Sequence, residues 1–347
     1  MAGKIRVGVI GIGFMGSNHF NIWRGRSDAE VVAIADVNPK KLSGDWSEIA
    51  GNIAVGGGRV DLKGIKTYTN PGELIKDPDV DVVDITLPTY LHARFAIAAL
   101  RTGKHVLCEK PMASTIGDAE KMVKAAKAAA KKGKRFMIAH CIRFWPEYVV
   151  LKDIIEKKTY GKVLSVMMKR LSPTPIWSWQ NWLMNMKKSG GAALDLHIHD
   201  TDYAIFLFGK PRAVMSCGAA GVVSKGYDHM ATHYMYNDCP QVSAVGGWII
   251  SPTSSFEMAF IAICERATIY YSSGKKPTLT VHTKERVIEP ELPAGGSGYD
   301  REIAYFAECI KSRKNPEIVT PDDALLSVKT VFAEVESARS GKIVIVK

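Results

Sequence analysis

No apolar run in this sequence approaches the roughly 20 residues that a membrane-spanning helix needs. Its first residues go straight into a strand-like stretch without a basic segment, an apolar core and a small-residue cleavage site, so a cytoplasmic location is expected. Six cysteines (Cys108, Cys141, Cys217, Cys239, Cys264 and Cys309) stand far apart without a C-x-x-C pair, and reduced, buried, inert thiols are the simplest expectation. Internal repeats and low-complexity tracts are absent as well. A net charge of +11 invites a nucleic-acid partner, yet no basic run is interleaved with aromatic residues. Much of the excess lies where Lys121, Lys124, Lys127 and Lys131 recur at three and four positions opposite Met122, Val123 and Ala126, the pattern of a solvated helix face. The expectation is therefore no nucleic acid and no membrane, with a positive field that favours anionic cofactor or substrate.

The stretch from Lys4 to Asp36 is the most informative. An apolar run with Ile5, Val7, Val9 and Ile10 leads to Gly11, Gly13 and Gly16 in G-x-G-x-x-G spacing. A helical stretch to Arg26 follows, then a second apolar run from Val31 to Ala35, closed by Asp36. In a βαβ dinucleotide site Gly11 makes the tight turn, Gly13 lets the backbone approach a pyrophosphate, and Gly16 lets the helix pack on the strand. The free N–H groups of the helix start, at Phe14 and Met15 onward, receive the phosphate charge. Asp36 stands 20 positions past Gly16, where an acid accepts the ribose hydroxyls and repels a 2′-phosphate, which favours NAD. Lys40 and Lys41 follow closely, so NADP stays open.

With 347 residues there is room for two domains, placed at 1–142 and 143–347, the C-terminal helix packing back on the first. In the first, short strands and helices alternate and predict a doubly wound, mostly parallel sheet. A helix is expected near Lys40 to Ala50, then a flexible loop on the adenosine side between Gly51 and Gly64, and a strand from Val80 to Leu87. Pro88 to His92 follow this strand at the carboxyl edge, where ligands sit in such sheets, so Leu87, Pro88 and His92 face the cofactor; a core or capping role is the other reading of His92. The strand His105–Cys108 delivers Glu109, Lys110 and Pro111 to the same edge. Beyond Pro146 a helix, a strand (Val163 to Leu171), a loop (Ser172 to Gly191) and a helix (Ala192 to Phe208) precede β-rich segments from Arg212 to Ile288. That pattern predicts a second domain with a large, mostly antiparallel sheet.

The helix opened by Gly190 and Gly191 carries Asp195, His199 and Asp202, which at i, i+4 and i+7 share one face. An imidazole takes a proton near neutral pH, and a carboxylate one turn away orients it; a structural hydrogen bond is the competing reading. The D-x-H-x-H-D string also raises a metal site, but residues two apart on a helix diverge, so none is expected. Lys110 at the mouth of a nucleotide sheet is placed to donate to a substrate hydroxyl and to stabilise an alkoxide.

G-I-G-x-M-G, Asp36, the run Pro88 to His92, A-L-R-T-G-K-H-V-L-C-E-K-P and G-G-A-A-L-D-L-H-I-H-D-T-D together resemble the glucose-fructose oxidoreductase / inositol dehydrogenase / rhizopine-catabolism (Gfo/Idh/MocA) family across nearly the whole chain. The resemblance implies a Rossmann domain followed by an α/β domain with an open antiparallel sheet that often mediates oligomers, here a homodimer or homotetramer. It matches Lys110 to the family's E-K-P lysine, with a cis bond before Pro111, and Asp195 and His199 to its D-x-x-x-H pair. His140 and Arg143 match positions that often line the substrate site. His197 departs from the usual small residue, so the pocket floor is expected to differ. Trp177, Trp179 and Trp182 either stack on a sugar ring or pack between domains or subunits. The function implied is an NAD(H)-dependent dehydrogenase or reductase of a sugar, sugar derivative or cyclic polyol, with Lys110, Asp195 and His199 in acid/base roles. The alternatives are a glycoside-processing enzyme that uses transient oxidation and elimination, and a non-catalytic NAD-binding regulator.

Overall fold

A computed structural model describes residues 3–51, 57–237 and 241–347. Cys239 and the centre of the expected adenosine-side loop, including Gly56, lie outside the described residues. The chain divides into two compact units. The first comprises 1–140, 177–182 and 299–325; the second comprises 141–176, 183–298 and 326–347.

In the first unit the chain runs β1 (Ile5–Ile10), α1 (Phe14–Gly25), β2 (Ala29–Ala35), α2 (Pro39–Leu42), β3 (Lys66–Tyr68), α3 (Pro71–Lys76), β4 (Val82–Ile85), α4 (His92–Arg101), β5 (His105–Glu109), α5 (Ile116–Ala130) and β6 (Phe136–Ala139). The six strands pair in parallel in the order β3-β2-β1-β4-β5-β6. Order reverses beside β1, so the carboxyl ends of β1 and β4 flank the switch point where such sheets bind ligands. The central strands are covered on both faces: Val7, Val9, Ile10, Val82, Val83 and Ile85 have no exposure. Burial of each such side chain stabilises by about 1.5–3 kcal/mol. Helix α1 buries Gly16, His19, Phe20 and Trp23 at helical spacing. Helix α5 is capped by the Thr115 hydroxyl on the Asp118 N–H and buries Met122, Val123 and Ala126, leaving its lysines in water.

One expected helix is largely missing. Pro39 and the Asn38 cap start a turn, but α2 stops at Leu42 before Gly44, whose φ is +83°. Trp46 then turns inward, fully buried edge-on against Phe20 at 4.8 Å, and this contact outweighs the helical propensity of the stretch Lys40 to Ala50.

Beyond His140 the chain continues through α6 (Pro146–Glu156), β7 (Val163–Pro173), α7 (Met186–Ser189), α8 (Ile198–Phe208), β8 (Ala213–Ala220), β9 (Tyr227–Met235), β10 (Gln241–Ile250), β11 (Glu257–Cys264), β12 (Ala267–Ser272), β13 (Leu279–Thr283) and β14 (Val287–Ile288). Then come α9 (Gly298–Lys311), α10 (Pro321–Ser340) and β15 (Val344–Ile345). The nine strands of the second unit follow the order β14-β13-β12-β11-β7-β10-β9-β8-β15, antiparallel except for β7 beside β10. Alternation along β7, β9 and β11 buries Val166, Met168, Met230, Tyr234, Phe260 and Ala262 on one face. Met167, Ala231, Ile261 and Ile263 are left partly or well exposed on the other. The same alternation overturns one expectation about the cysteines. All five described are free thiols, but Cys217 on β8 points to the open face and is exposed.

Candidate functional site

Each glycine of the turn after β1 has a distinct mechanical reason. Gly11 has φ +93° and lies against Thr86 and Leu87 at the end of β4. At Gly16 a Cβ would fall 1.9 Å from the Gly11 carbonyl oxygen, so only glycine lets α1 approach the turn this closely. Gly13 differs from both, because a Cβ there would meet nothing within 4 Å. Its backbone faces open space at the start of a 12-residue helix that has no side-chain cap, where Phe14 and Met15 are part-exposed. Unpaired N–H groups beside a clear approach form a site for a pyrophosphate. At the end of β2, Asp36 accepts from the Ile12 N–H at 2.7 Å and from the Asn38 N–H at 2.8 Å, with the Lys41 ammonium at 3.6 Å. Lys40 is engaged instead with Glu48 at 2.8 Å. The residues present thus suit a dinucleotide: glycines at the phosphates and an acid beside them for a ribose.

Leu87 and Pro88 are part-exposed past β4, and Lys110 is part-exposed past β5. The Lys110–Pro111 peptide is cis. The Lys110 N–H donates to the Glu109 carboxylate at 3.0 Å. His92 is buried past the end of β4. It is 1% exposed, with Nδ1 2.9 Å from the Pro111 carbonyl and Nε2 2.7 Å from that of Leu87, and burial lowers its pKa. Its ring thus lies between the two loops that carry Leu87 and Lys110, and in its neutral form it donates to one of the two carbonyls. His140, at the end of β6, is likewise 1% exposed.

In the second unit Gly190 and Gly191, with φ +76° and +70°, turn the chain into residues 193–208. The regular α-helix expected there begins as a π turn, Ala193–His197, before α8. Such turns recur at functional sites. From Gly191 to Ile205 every residue is buried except Asp195 and His199, which are part-exposed. Asp202 leaves the expected trio. It is buried and bound by the Arg143 guanidinium through two contacts of 2.8 Å, and it accepts from the Ser327 hydroxyl at 2.8 Å. Arg143 is 3% exposed and lies over the Phe206 ring at 4.7 Å, so its charge is neutralised inside the unit.

His197 is fully buried under the sheet, where a Cβ on Gly246 would come within 3.1 Å of its ring. Its Nε2 lies 3.2 Å from the Thr232 hydroxyl and 3.5 Å from Glu334, and burial, with the nearby His229 and Arg170, pushes its pKa down to about 3. Trp177 and Trp182 are part-exposed and Trp179 is 45% exposed, on a loop where Gln180 and Asn181 take left-handed φ of 49° and 51°.

Residues 5–140 match the model of an oxidoreductase family with an NAD-binding Rossmann fold, and residues 148–270 match the GFO/IDH/MocA C-terminal domain. The chain belongs to the Gfo/Idh/MocA family. Among its relatives is a myo-inositol 2-dehydrogenase of Thermotoga maritima, 32% identical over 59% of this chain; the match spans 55% of that protein's length. A 1,5-anhydro-D-fructose reductase of Ensifer adhaerens is 29% identical over 80% of this chain and 83% of its own. A levoglucosan dehydrogenase solved with NADH and levoglucosan superposes with a TM-score of 0.81 at 25% identity, over 99% of both chains. Family membership accounts for the glycine turn, the parallel sheet and the mostly antiparallel second sheet described above.

Reasoning from sequence missed one buried cluster in the Rossmann unit of this Gfo/Idh/MocA chain. His19, Glu109 and Glu302 bring one ligating atom each within 4.8 Å of one another. Glu109 lies in the E-K-P motif and His19 on the helix three residues past the glycine triplet, but Glu302 arrives from a helix almost two hundred positions after Glu109.

Proposed function

We propose that this chain is an NAD(H)-dependent oxidoreductase that oxidises a secondary hydroxyl of a sugar, sugar derivative or cyclic polyol, or reduces the matching ketone. The observation that carries the reading is within the first unit: parallel β1 and β5 run to one sheet edge, so the clear approach at Gly13 and the part-exposed Lys110 share it. The cofactor is held by Gly11, Gly13, Phe14, Met15, Gly16 and Asp36, with Leu87, Pro88 and Glu109–Lys110 along the same edge. Bound there, NAD supplies the hydride acceptor. His199 takes the hydroxyl proton, Asp195 orients its imidazole, and the Lys110 ammonium stabilises the developing alkoxide by a charge-assisted hydrogen bond. Trp177 and Trp179 offer apolar faces to a sugar ring. The polyol and anhydrosugar names of the relatives support this substrate class.

The test is a panel of inositols, pyranoses and anhydrosugars followed by NADH absorbance, with Lys110→Ala alongside. Loss of an oxyanion donor costs about 10²–10³ in kcat, while NADH affinity should hold within about threefold. Unimpaired turnover by the variant removes Lys110 from the mechanism, and silence of the wild type across the panel removes the dehydrogenase reading. For self-association the open face of the second sheet is the surface of choice: Met167 is 41% exposed and Met215 52% exposed on it. Met167→Asp should shift a dimer or tetramer toward monomer in light scattering; a wild type that is already monomeric at micromolar concentration refutes this surface.

A further inference from the structure

Beneath the cofactor edge of the first unit lies a buried set of ionisable side chains that the proposed chemistry does not use. His19 on α1, Asp84 on β4 and Glu302 on α9 have no exposure, and Glu109 at the end of β5 has 5%. The Asp84 carboxylate accepts from His19 Nδ1 at 2.9 Å and from the Trp23 indole N–H at 2.7 Å. On its other side His19 Nε2 stands 3.1 Å from a Glu109 oxygen. The second Glu109 oxygen accepts the Lys110 N–H at 3.0 Å. A line of contacts thus runs from Asp84 through His19 and Glu109 to the main chain of Lys110.

Charge decides how this set is protonated. An imidazole between two carboxylates is most stable with both nitrogens protonated. Coulombic attraction from Asp84 and Glu109, with the hydrogen bond to Asp84, overcomes the burial penalty and holds the His19 pKa well above its ordinary value. Neither Glu302 oxygen has a hydrogen-bond partner among the described residues, and burial raises the pKa of this carboxyl far above the usual range, so it stays neutral. Glu302 lies beside Glu109 in the cluster, and the negative charge of Glu109 and Asp84 adds to the effect of burial.

We propose that His19 is a positioning residue for Lys110: by clamping the Glu109 carboxylate that holds the Lys110 amide, it ties the helix of the glycine turn to the strand end that presents the amine. Glu302 acts as the neutral third member that shields the pair. The inference rests on the role assigned to Lys110 above. It gives His19 work at the active edge although no part of it is accessible to substrate. A displacement of about 1 Å at a reacting group costs on the order of 10²-fold in rate, so loosening this clamp is expressed in kcat more than in binding.

The experiment compares His19→Gln, Glu109→Asp and Glu302→Gln with the wild type. Readouts are steady-state kinetics on the best polyol, NADH titration, the metal content of the protein as purified, and the rate at which acetic anhydride labels Lys110 relative to the other lysines. His19→Gln should lower kcat about tenfold or more, hold KM and NADH affinity within about threefold, and alter relative Lys110 labelling at least about threefold. Glu109→Asp withdraws the carboxylate by one methylene and should do the same, which serves if the histidine variant does not fold. Glu302→Gln, the isostere of a neutral acid, should keep kcat within about twofold. Wild-type kinetics and labelling in His19→Gln, or damage by Glu302→Gln equal to that of His19→Gln, overturns the proposal. So does one equivalent of a divalent ion in the purified protein, because that ion would take the place of the two protons. A wild type that oxidises no polyol defeats the functional reading instead, and the labelling comparison still decides the clamp.

Discussion

Alanine at Gly13 and at Gly16 should fail in opposite ways, although the two positions are only three residues apart. At Gly16 the added methyl would sit 1.9 Å from the Gly11 carbonyl oxygen and 2.9 Å from its carbon, with the Thr86 hydroxyl at 2.8 Å. Real Cβ contacts are essentially never shorter than 3.0 Å, so α1 must back away from β1 by about 1 Å. Overpacking of this kind costs roughly 1–3 kcal/mol, a fall of several degrees in Tm for a domain of this size. At Gly13 the backbone is extended, with φ −98°, and the methyl would meet no atom of the described residues within 4 Å. Stability should stay within about 0.5 kcal/mol of the wild type. The methyl would occupy the approach of the pyrophosphate, so NADH affinity should drop at least about tenfold, or about 1.4 kcal/mol. Urea unfolding without cofactor measures the first effect, and fluorescence titration with NADH measures the second. Wild-type affinity in Gly13→Ala would refute the phosphate site, and wild-type stability in Gly16→Ala would refute the close helix–turn contact.

Asp36 should make the wild type bind NADH at least about tenfold more tightly than NADPH, and Asp36→Ser should narrow that ratio; equal affinities in the wild type would remove Asp36 as the discriminating acid. Arg143→Ala leaves the Asp202 carboxylate buried without its guanidinium and should destabilise by about 3–5 kcal/mol, seen as a lower urea midpoint; a loss under about 1 kcal/mol would mean that the pair is solvated. Glu334 is fully buried, and burial pushes its carboxyl pKa up to about 8 from an ordinary 4.5, so the folded chain holds a proton that the unfolded chain releases. Stability from this group is complete below pH 4.5 and declines as pH rises to 8. His197, lowered from 6.5 to about 3, acts in the opposite sense below pH 6.5, which leaves 6.5 to 8 as the clear window. Glu334→Gln should flatten the stability curve there, and an unchanged slope would show that Glu334 is ionised in the fold.

Local periodicity and backbone chemistry by themselves determined the Rossmann half of this protein. The glycine triplet, the β-branched runs and the acid closing β2 act within about 30 residues, and their demands are met by neighbours in the chain. For the same reason the lysine face of α5 was legible without coordinates, as was the β-rich, mostly antiparallel character of the second domain. The short α2 and the exposed Cys217 were not, because packing of Trp46 and the choice of sheet face settle them, and neither was the π turn at Ala193–His197. Least legible were the buried charges. Arg143 finds Asp202 59 positions away, while His19 depends on Asp84, 65 positions away, and on Glu109. A charge enters an interior only when partners arrive with it, and those partners are supplied by strands and helices remote in sequence. Asp202 therefore reads as a third member of an acid–base face on paper and becomes an ion-pair partner of Arg143 in the fold.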